Sequence, residues 1–392
     1  MASLTRNPVT IQRLTSPHKL RVALLCTGID GHRGGIETFF HECFHGLHNI
    51  EGIDLVLCRG PGIVGKDEHA LPCIPRNTRL ARWMGKVIRR DGYVIEQLTA
   101  FPAFCRFIRK WRPDVIFYSD SNHGFQLFKW RKRIGVDFKL LFSNGGPCRP
   151  PFSRTDFVHQ VAPLYLGAAL EAGEPASKHF MVPYGINVPS QLPVLDAVER
   201  RALRRNLGLP EERKVVVSVG WISHQHKRMD YVIEEVASMG TNRPFLAMVG
   251  RMDESSPAII RLARERLGED GFVAISVPYE RVADYYRAAD VFVLGSLFEG
   301  FGRVFLEALC FGLRCLVHDH PVMRYVLADE GRYGDFTQAG SLSRLLGDAV
   351  LETDSQASQI RRWNMVREKF DWRSLRSEYA EMFRQVTHDH RR

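Results

Sequence analysis

Two series of short, mostly apolar runs, each run followed by a stretch of helical spacing, constrain this chain more than any other feature. The first series is Arg21–Cys26, Asp54–Cys58, Asp114–Tyr118, Lys139–Phe142 and His179–Val182. The second is Lys214–Val219, Phe245–Val249, Phe272–Ser276, Val291–Leu294 and Arg314–Val317. Short β-branched runs without polar alternation are strands covered on both faces, and strands alternating with helices build parallel sheets. Between the series lies Val188–Pro193, with prolines at both ends of a stretch without periodicity, which reads as a linker. The expected plan is α/β: an N-terminal domain over 1–188, a second over 189–370, and a C-terminal helix over 371–392. In that helix Leu375, Tyr379, Met382, Phe383 and Val386 form an apolar stripe that must bury against something.

A chain of 392 residues with 45% hydrophobic side chains is long enough for two cores. It contains no apolar run long enough to cross a bilayer, and Met1–His18 lacks an apolar signal core. The eight cysteines show no C-x-x-C pair, so they are expected to be reduced, in a cytoplasmic protein. The net charge of +10 is uneven. Residues 1–180 hold 25 Lys+Arg against 15 Asp+Glu, while 181–392 hold 29 of each. The densest patch is Arg76, Arg79, Arg82, Lys86, Arg89 and Arg90, interleaved with Leu80, Trp83, Val87 and Ile88. Such a basic amphipathic helix suits peripheral contact with an anionic membrane, and equally an ordinary surface helix packing its apolar side on the core. Lys129, Arg131, Lys132 and Arg133 form a second cluster. No recognised nucleic-acid module accompanies these residues, so no nucleic-acid partner is expected.

The chemistry concentrates after the strand Ala289–Leu294. There Glu299, Gly300, Phe301, Gly302, Arg303 and Val304 lead into a helix that carries Glu307. Backbone N–H groups of Gly302, Arg303 and Val304 open that helix, and a helix N-terminus suits an anionic phosphate. Two carboxylates beside a phosphate cradle can grip hydroxyls, as a nucleotide sugar requires.

These residues resemble the E-x7-E signature of the family 4 retaining glycosyltransferases, which have GT-B architecture: two Rossmann-like domains facing an interdomain cleft. Gly34-Gly35-Ile36-Glu37 resembles that family's first glycine loop, and Val182–Asn187 the segment before its linker. Val217–Gly220 with Lys227–Asp230 resembles the first strand and phosphate-binding lysine of its second domain. Tyr286–Val293 resembles the strand before E-x7-E, and Phe370-Asp371-Trp372 the C-terminal closure that crosses back to the first domain. The resemblance implies a metal-independent transfer of a hexose, with retention, from UDP-hexose or GDP-mannose as co-substrate to a glycan or lipid-linked acceptor. It implies Glu299 on the transferred sugar, Glu307 on the ribose and Lys227 on the diphosphate. Gly34 and Gly35 would approach phosphate and acceptor, and Gly300 to Val304 would line the donor.

The chain departs from that pattern twice. Trp221 stands where many members carry an arginine, so Arg228 or Arg303 is expected to supply the second positive charge. Asn144 stands where a histidine is common; it can bond a sugar hydroxyl but takes no proton near neutral pH. His123 is a candidate to replace the histidine, or else a loop histidine. These departures leave open a catalytically weak GT-B scaffold that binds nucleotide or glycan. A nicotinamide dehydrogenase is excluded by the spacing of Thr27-Gly28-Ile29-Asp30-Gly31, which is not G-x-G-x-x-G. The pairs His224/His226 and His318/His320 lack a third spaced ligand, so no metal is expected.

Overall fold

The computed structural model describes residues 19–29 and 34–388. The expectations for Met1–His18 and Asp30-Gly31 fall outside the described residues. The first sheet comprises β1 (Leu20–Cys26), β2 (Ile53–Arg59), β3 (Glu68–Ala70), β4 (Val115–Tyr118), β5 (Lys139–Asn144), β6 (Phe157–Gln160) and β7 (His179–Met181). The second comprises β8 (Val215–Val219), β9 (Phe245–Val249), β10 (Phe272–Ile275), β11 (Val291–Val293), β12 (Arg314–His318) and β13 (Gly331–Gly334). The helices of the first half are α1 (Gly35–Leu47), α2 (Arg79–Ile88), α3 (Gly92–Trp111), α4 (Ser121–Ile134) and α5 (Pro163–Glu171). Those of the second are α6 (Ala197–Asn206), α7 (Met229–Ala237), α8 (Ser256–Leu267), α9 (Tyr279–Ala288), α10 (Arg303–Cys310), α11 (Pro321–Leu327), α12 (Ser341–Leu351), α13 (Gln356–Phe370) and α14 (Trp372–His388).

Every pairing is parallel, in the orders β3-β2-β1-β4-β5-β6-β7 and β10-β9-β8-β11-β12-β13. Both sheets therefore reverse their winding once: at β1/β4, where Leu25 pairs with Tyr118, and at β8/β11, where Val217 pairs with Phe292. Ligands of open α/β sheets bind outside the carboxyl ends of strands at such reversals. The apolar runs are strands because they are buried on both faces: β4 and β8 are buried at every residue.

Helix α14 belongs to the second half in sequence but packs on the first. Phe383 meets Phe117 of β4 with ring centroids 5.6 Å apart, and Tyr379 donates its hydroxyl to the Pro183 carbonyl at 3.0 Å. Arg376 donates to the carbonyls of Gly46 and His48. Leu375, Tyr379, Met382, Phe383 and Val386 are all buried, each contributing about 1.5–3 kcal/mol. Two glycines let the helix enter. A Cβ on Gly46 or on Gly185 would lie 2.5 Å from the Trp372 indole. The chain crosses here as a backbone bridge, with Ile186 N–H to Phe370 O at 2.8 Å and Trp372 N–H to Ile186 O at 3.2 Å.

Candidate active site

At the β8/β11 reversal the Lys227 ammonium donates to Glu299 Oε1 at 2.8 Å, with Glu299 only 7% exposed. Gly220, at φ +155°, turns the chain after β8, and the Lys227 stem runs along it: a Cβ there would meet the lysine Cε at 3.2 Å. The His226 ring stands 3.8 Å from the same carboxylate oxygen. Gly302, at φ +77°, is the N-cap of α10, a left-handed position that favours glycine. The first domain closes on this loop. Tyr165, on α5, donates its hydroxyl to the Gly300 carbonyl at 2.7 Å, and a Cβ on Gly300 would strike the Gly145 carbonyl at 2.3 Å.

Glu307, on α10, accepts from the hydroxyls of Tyr286 at 3.1 Å and Tyr279 at 3.2 Å. Burial pushes its pKa up, against the pull of Arg303. The Tyr279 hydroxyl is also 3.2 Å from Glu42 of α1, so its single proton serves one carboxylate at a time. Arg303 is buried across the domain interface, bonded to Glu42 Oε2 at 2.6 Å and to the Gly185 carbonyl. Burial alone would lower its pKa, but Glu42 raises it.

Several expectations need correction. The Arg303 side chain is an interdomain strut and not a second phosphate cation, because both ends of its guanidinium are engaged. Arg228 is likewise committed: it donates to the Phe336 carbonyl at 3.0 Å and covers the Tyr231 ring at 4.4 Å. Phe301 does not line a donor site with its ring, which is 3% exposed and packs against Tyr184 and Phe370. Asn144, expected to meet a sugar hydroxyl, bonds Gln160 and the Cys148 carbonyl and accepts from the Cys148 N–H at 2.7 Å. Both of its amide donors and one acceptor position are thus spent on the Cys148 backbone and on Gln160 of β6. The Gly34 N–H is taken by the Glu37 carboxylate at 3.2 Å, whereas a Cβ on Gly35 would meet open space. Val304 is half-buried on the first turn of α10.

The β1/β4 reversal holds a different constellation. Arg76 grips Glu96 with two nitrogens, at 3.0 and 2.6 Å, and reaches Glu37 at 3.3 Å. Glu96 also accepts from the Thr27 hydroxyl at 2.9 Å and the Arg76 N–H at 2.9 Å. Tyr93 covers the guanidinium at 4.2 Å. His123, on α4, is 1% exposed, and among the described residues neither ring nitrogen has a hydrogen-bond partner. Burial lowers its pKa, with Asp120, Glu96 and Arg76 as its charged neighbours. Arg76, expected in the basic surface patch, is therefore part of this cage.

Residues 199–362 match the family model for glycosyl transferases group 1. The match falls within the second domain. Among relatives, the mannosylfructose-phosphate synthase of Agrobacterium fabrum is 34% identical over 215 residues, 52% of this chain and 44% of that protein. The D-inositol 3-phosphate glycosyltransferase of Streptomyces scabiei is 29% identical over 268 residues, 63% of this chain and 59% of that protein. The chain thus spans about half the length of the curated relatives it matches. Solved structures align along nearly the whole chain. Sucrose-phosphate synthase from Thermosynechococcus elongatus has a TM-score of 0.71 at 18% identity, covering 94% of this chain and 99% of its own. The Anabaena protein HepE, in complex with UDP-glucose, has a TM-score of 0.72 at 13% identity, covering 93% and 99%. The fold is GT-B.

Within the matched region, sequence reasoning singles out Glu299, Glu307 and Lys227 as candidates but misses the Tyr286 hydroxyl that bonds Glu307. It also misses two first-domain groups at this site, Glu42 and Tyr165. A tyrosine at the end of a strand or along a helix carries no spacing signal of its own. Arg251, after β9, stands over the Trp221 ring at 4.8 Å, so a guanidinium reaches the region after Gly220 from the neighbouring strand.

Proposed function

We propose that the protein is a metal-independent retaining glycosyltransferase that moves a hexose from UDP-hexose or GDP-mannose to a hydroxyl of a glycan or lipid-linked acceptor. The observation that carries this reading is the Lys227–Glu299 pair at the second domain's reversal point, beside the first turn of α10. A donor diphosphate entering there offers Lys227 a stronger anionic partner and releases Glu299 toward the sugar. Transfer breaks the bond between the anomeric carbon and the diphosphate oxygen. It forms a bond from the acceptor oxygen on the same face, and the acceptor proton leaves with the diphosphate. Lys227 and the α10 N–H groups hold the charge that grows on the leaving group, while Glu299 faces the cationic sugar. Arg251 supplies the second cation that Trp221 does not, and Glu307 receives the ribose hydroxyls once Tyr279 turns away. The names of the relatives favour a sugar or sugar phosphate as acceptor class. Calorimetry with UDP-glucose and GDP-mannose, then proton NMR of the product's anomeric centre, tests the reading. Binding of neither nucleotide sugar, or an inverted product, refutes it.

The same proposal includes peripheral contact with an anionic membrane. Helix α2 buries only Ala81 and Gly85. Leu80, Trp83, Val87 and Ile88 are 51%, 64%, 65% and 47% exposed, so the apolar side does not pack on the core. Arg79, Arg82, Lys86 and Arg89 flank it, each contributing about 1 kcal/mol near an anionic surface. Anionic vesicles should sediment the protein in a salt-sensitive way, and replacing the four cations by Gln should abolish this without changing nucleotide binding. Sedimentation that survives the quadruple change removes the membrane from the proposal.

A further inference from the structure

Two carboxylates from different domains meet over one hydroxyl. Glu42 comes from α1 of the first domain and is 6% exposed, and Glu307 comes from α10, one turn after Arg303. Their Oε2 atoms are each served: that of Glu42 by the Arg303 guanidinium at 2.6 Å, that of Glu307 by the Tyr286 hydroxyl at 3.1 Å. Their Oε1 atoms both face the Tyr279 hydroxyl, each at 3.2 Å. A phenol brings one proton, so one of these two contacts is an oxygen pair with no hydrogen between them. Burial and the two acids push the Tyr279 pKa up, which keeps that proton on the phenol. Burial likewise raises Glu307, and the Glu42 charge adds to it against the pull of Arg303. The two acids therefore compete for a single donor.

A ribose ends that competition. Its vicinal hydroxyls bring donors of their own to Glu307, and the Tyr279 proton is then free for Glu42. The phenol oxygen already lies within reach of both acids, so only its O–H bond need turn. No hydrogen bond is lost in the exchange, because Glu42 takes what Glu307 gives up. Were Glu42 a weaker acceptor, each ribose hydroxyl would have to displace Tyr279 at a net cost.

We infer that Tyr279 and Glu42 are positioning residues of the transfer reaction: ribose on Glu307 sends the Tyr279 hydroxyl to Glu42, and a bound nucleotide thereby adds a bond across the domain interface beside Arg303–Glu42. This rests on the reading of Glu307 as the ribose partner. Donor occupancy then holds the first domain, which supplies the other wall of the cleft, in the register that transfer needs. Such coupling is reciprocal, so Glu42, acting through Tyr279, contributes to nucleotide affinity from the opposite domain.

The test is calorimetry on the full chain. It compares UDP or GDP, whichever binds, with the 2′,3′-dideoxy form of the same nucleotide, which keeps the base and diphosphate and lacks the two hydroxyls. The parent should prefer the ribose form about tenfold or more. Glu42→Gln should cut that preference about fivefold, because a neutral amide oxygen accepts the Tyr279 proton more weakly than a carboxylate, and should leave the dideoxy affinity unchanged. In Tyr279→Phe there is no proton to hand over. The preference should not fall, and adding Glu42→Gln should no longer change it. A merely structural Glu42 would shift both nucleotides alike, and the shift would persist in the Tyr279→Phe background; that result overturns the inference, as does an undiminished preference in Glu42→Gln. If UDP or GDP binds and the parent shows no ribose preference, the inference falls while the donor reading stands. If neither nucleotide binds, both fall. Should Glu42→Gln fail to fold, Arg303→Met/Glu42→Gln, which removes the stranded cation with its partner, carries the same comparison.

Discussion

The two reversal points share one topology and differ in how their charges are held. At β8/β11 Lys227 makes one bond to Glu299, and on the proposed reading a diphosphate opens it by taking the lysine. At β1/β4 Arg76 is fixed by three bonds to two acids, and Glu96 is fixed in turn by Thr27 and a backbone N–H. One site is arranged to exchange a partner, the other to keep its partners. Equivalent positions in two similar folds therefore need not bind similar ligands. The two sites differ in the degree to which their resident ions are already satisfied.

The strongest challenge to this comparison removes the element that ties the halves together. Truncation after Lys369 deletes eight buried apolar side chains, Phe370, Trp372, Leu375, Tyr379, Ala380, Met382, Phe383 and Val386, worth more than about 10 kcal/mol, comparable to the whole stability of a domain. Amide exchange should then accelerate through β1, β4 and β5 while β8 and β9 stay protected. If protection falls only within residues 190–369, α14 is not what holds the first domain together. Next in size is Glu299→Gln, which should lower kcat by about 10²–10³-fold with the fold intact. Because Lys227 then loses its resident partner, UDP should bind at least as tightly as to the parent. Parent-like turnover, measured by steady-state kinetics, would remove Glu299 from the mechanism; weakened UDP binding would mean that the pair does not exchange.

Arg303→Met sharpens the contrast at the interface itself. It leaves Glu42 buried without its cation, which should cost about 3–5 kcal/mol of stability by urea denaturation. Adding Glu42→Gln should recover part of that loss, and strict additivity of the two changes would deny the coupling. The smallest effect is a pH dependence confined to the first domain. His159 is fully buried, with Nε2 2.7 Å from the Val182 carbonyl, and burial pushes its pKa down to about 4 from 6.5. The native state thus favours the neutral ring. Its contribution, roughly 3 kcal/mol, is complete above about pH 6.5 and is lost as the pH falls toward 4. Urea midpoints at pH 7 and pH 4.5 should differ, and His159→Gln should flatten the difference.

The fold was legible where burial was symmetric. The runs that became β1, β2, β4, β8, β9 and β12 are apolar through most of their length, so covered strands were the economical reading. The strands β3, β6 and β13 carry Glu68, His159, Gln160 and Arg332, and their polar side chains hid them. At the site, Glu299, Glu307 and Lys227 could be read because a glycine loop fixes them relative to a strand and a helix. The roles of Arg303 and Asn144 could not be read that way. Whether a side chain is available depends on partners far away in sequence, Glu42 for one and Gln160 for the other. Helix α2 showed the opposite limit. Its amphipathic pattern fitted two surfaces equally, and the exposure of Leu80, Trp83, Val87 and Ile88, which speaks against packing on the core, is not legible in that pattern.

The late arrival of α14 has a consequence for synthesis. The face of the first sheet that receives Phe383 and Tyr379 is complete once Ile186 has been translated, but its cover is encoded some 200 residues later. At about 5–20 residues per second, the nascent first domain waits on the order of 10–40 s with Phe39 and Phe117 lacking their partners Trp372 and Phe383. During that interval the half-made chain offers chaperones, and its own neighbours on a polysome, a sticky surface that the finished molecule never shows.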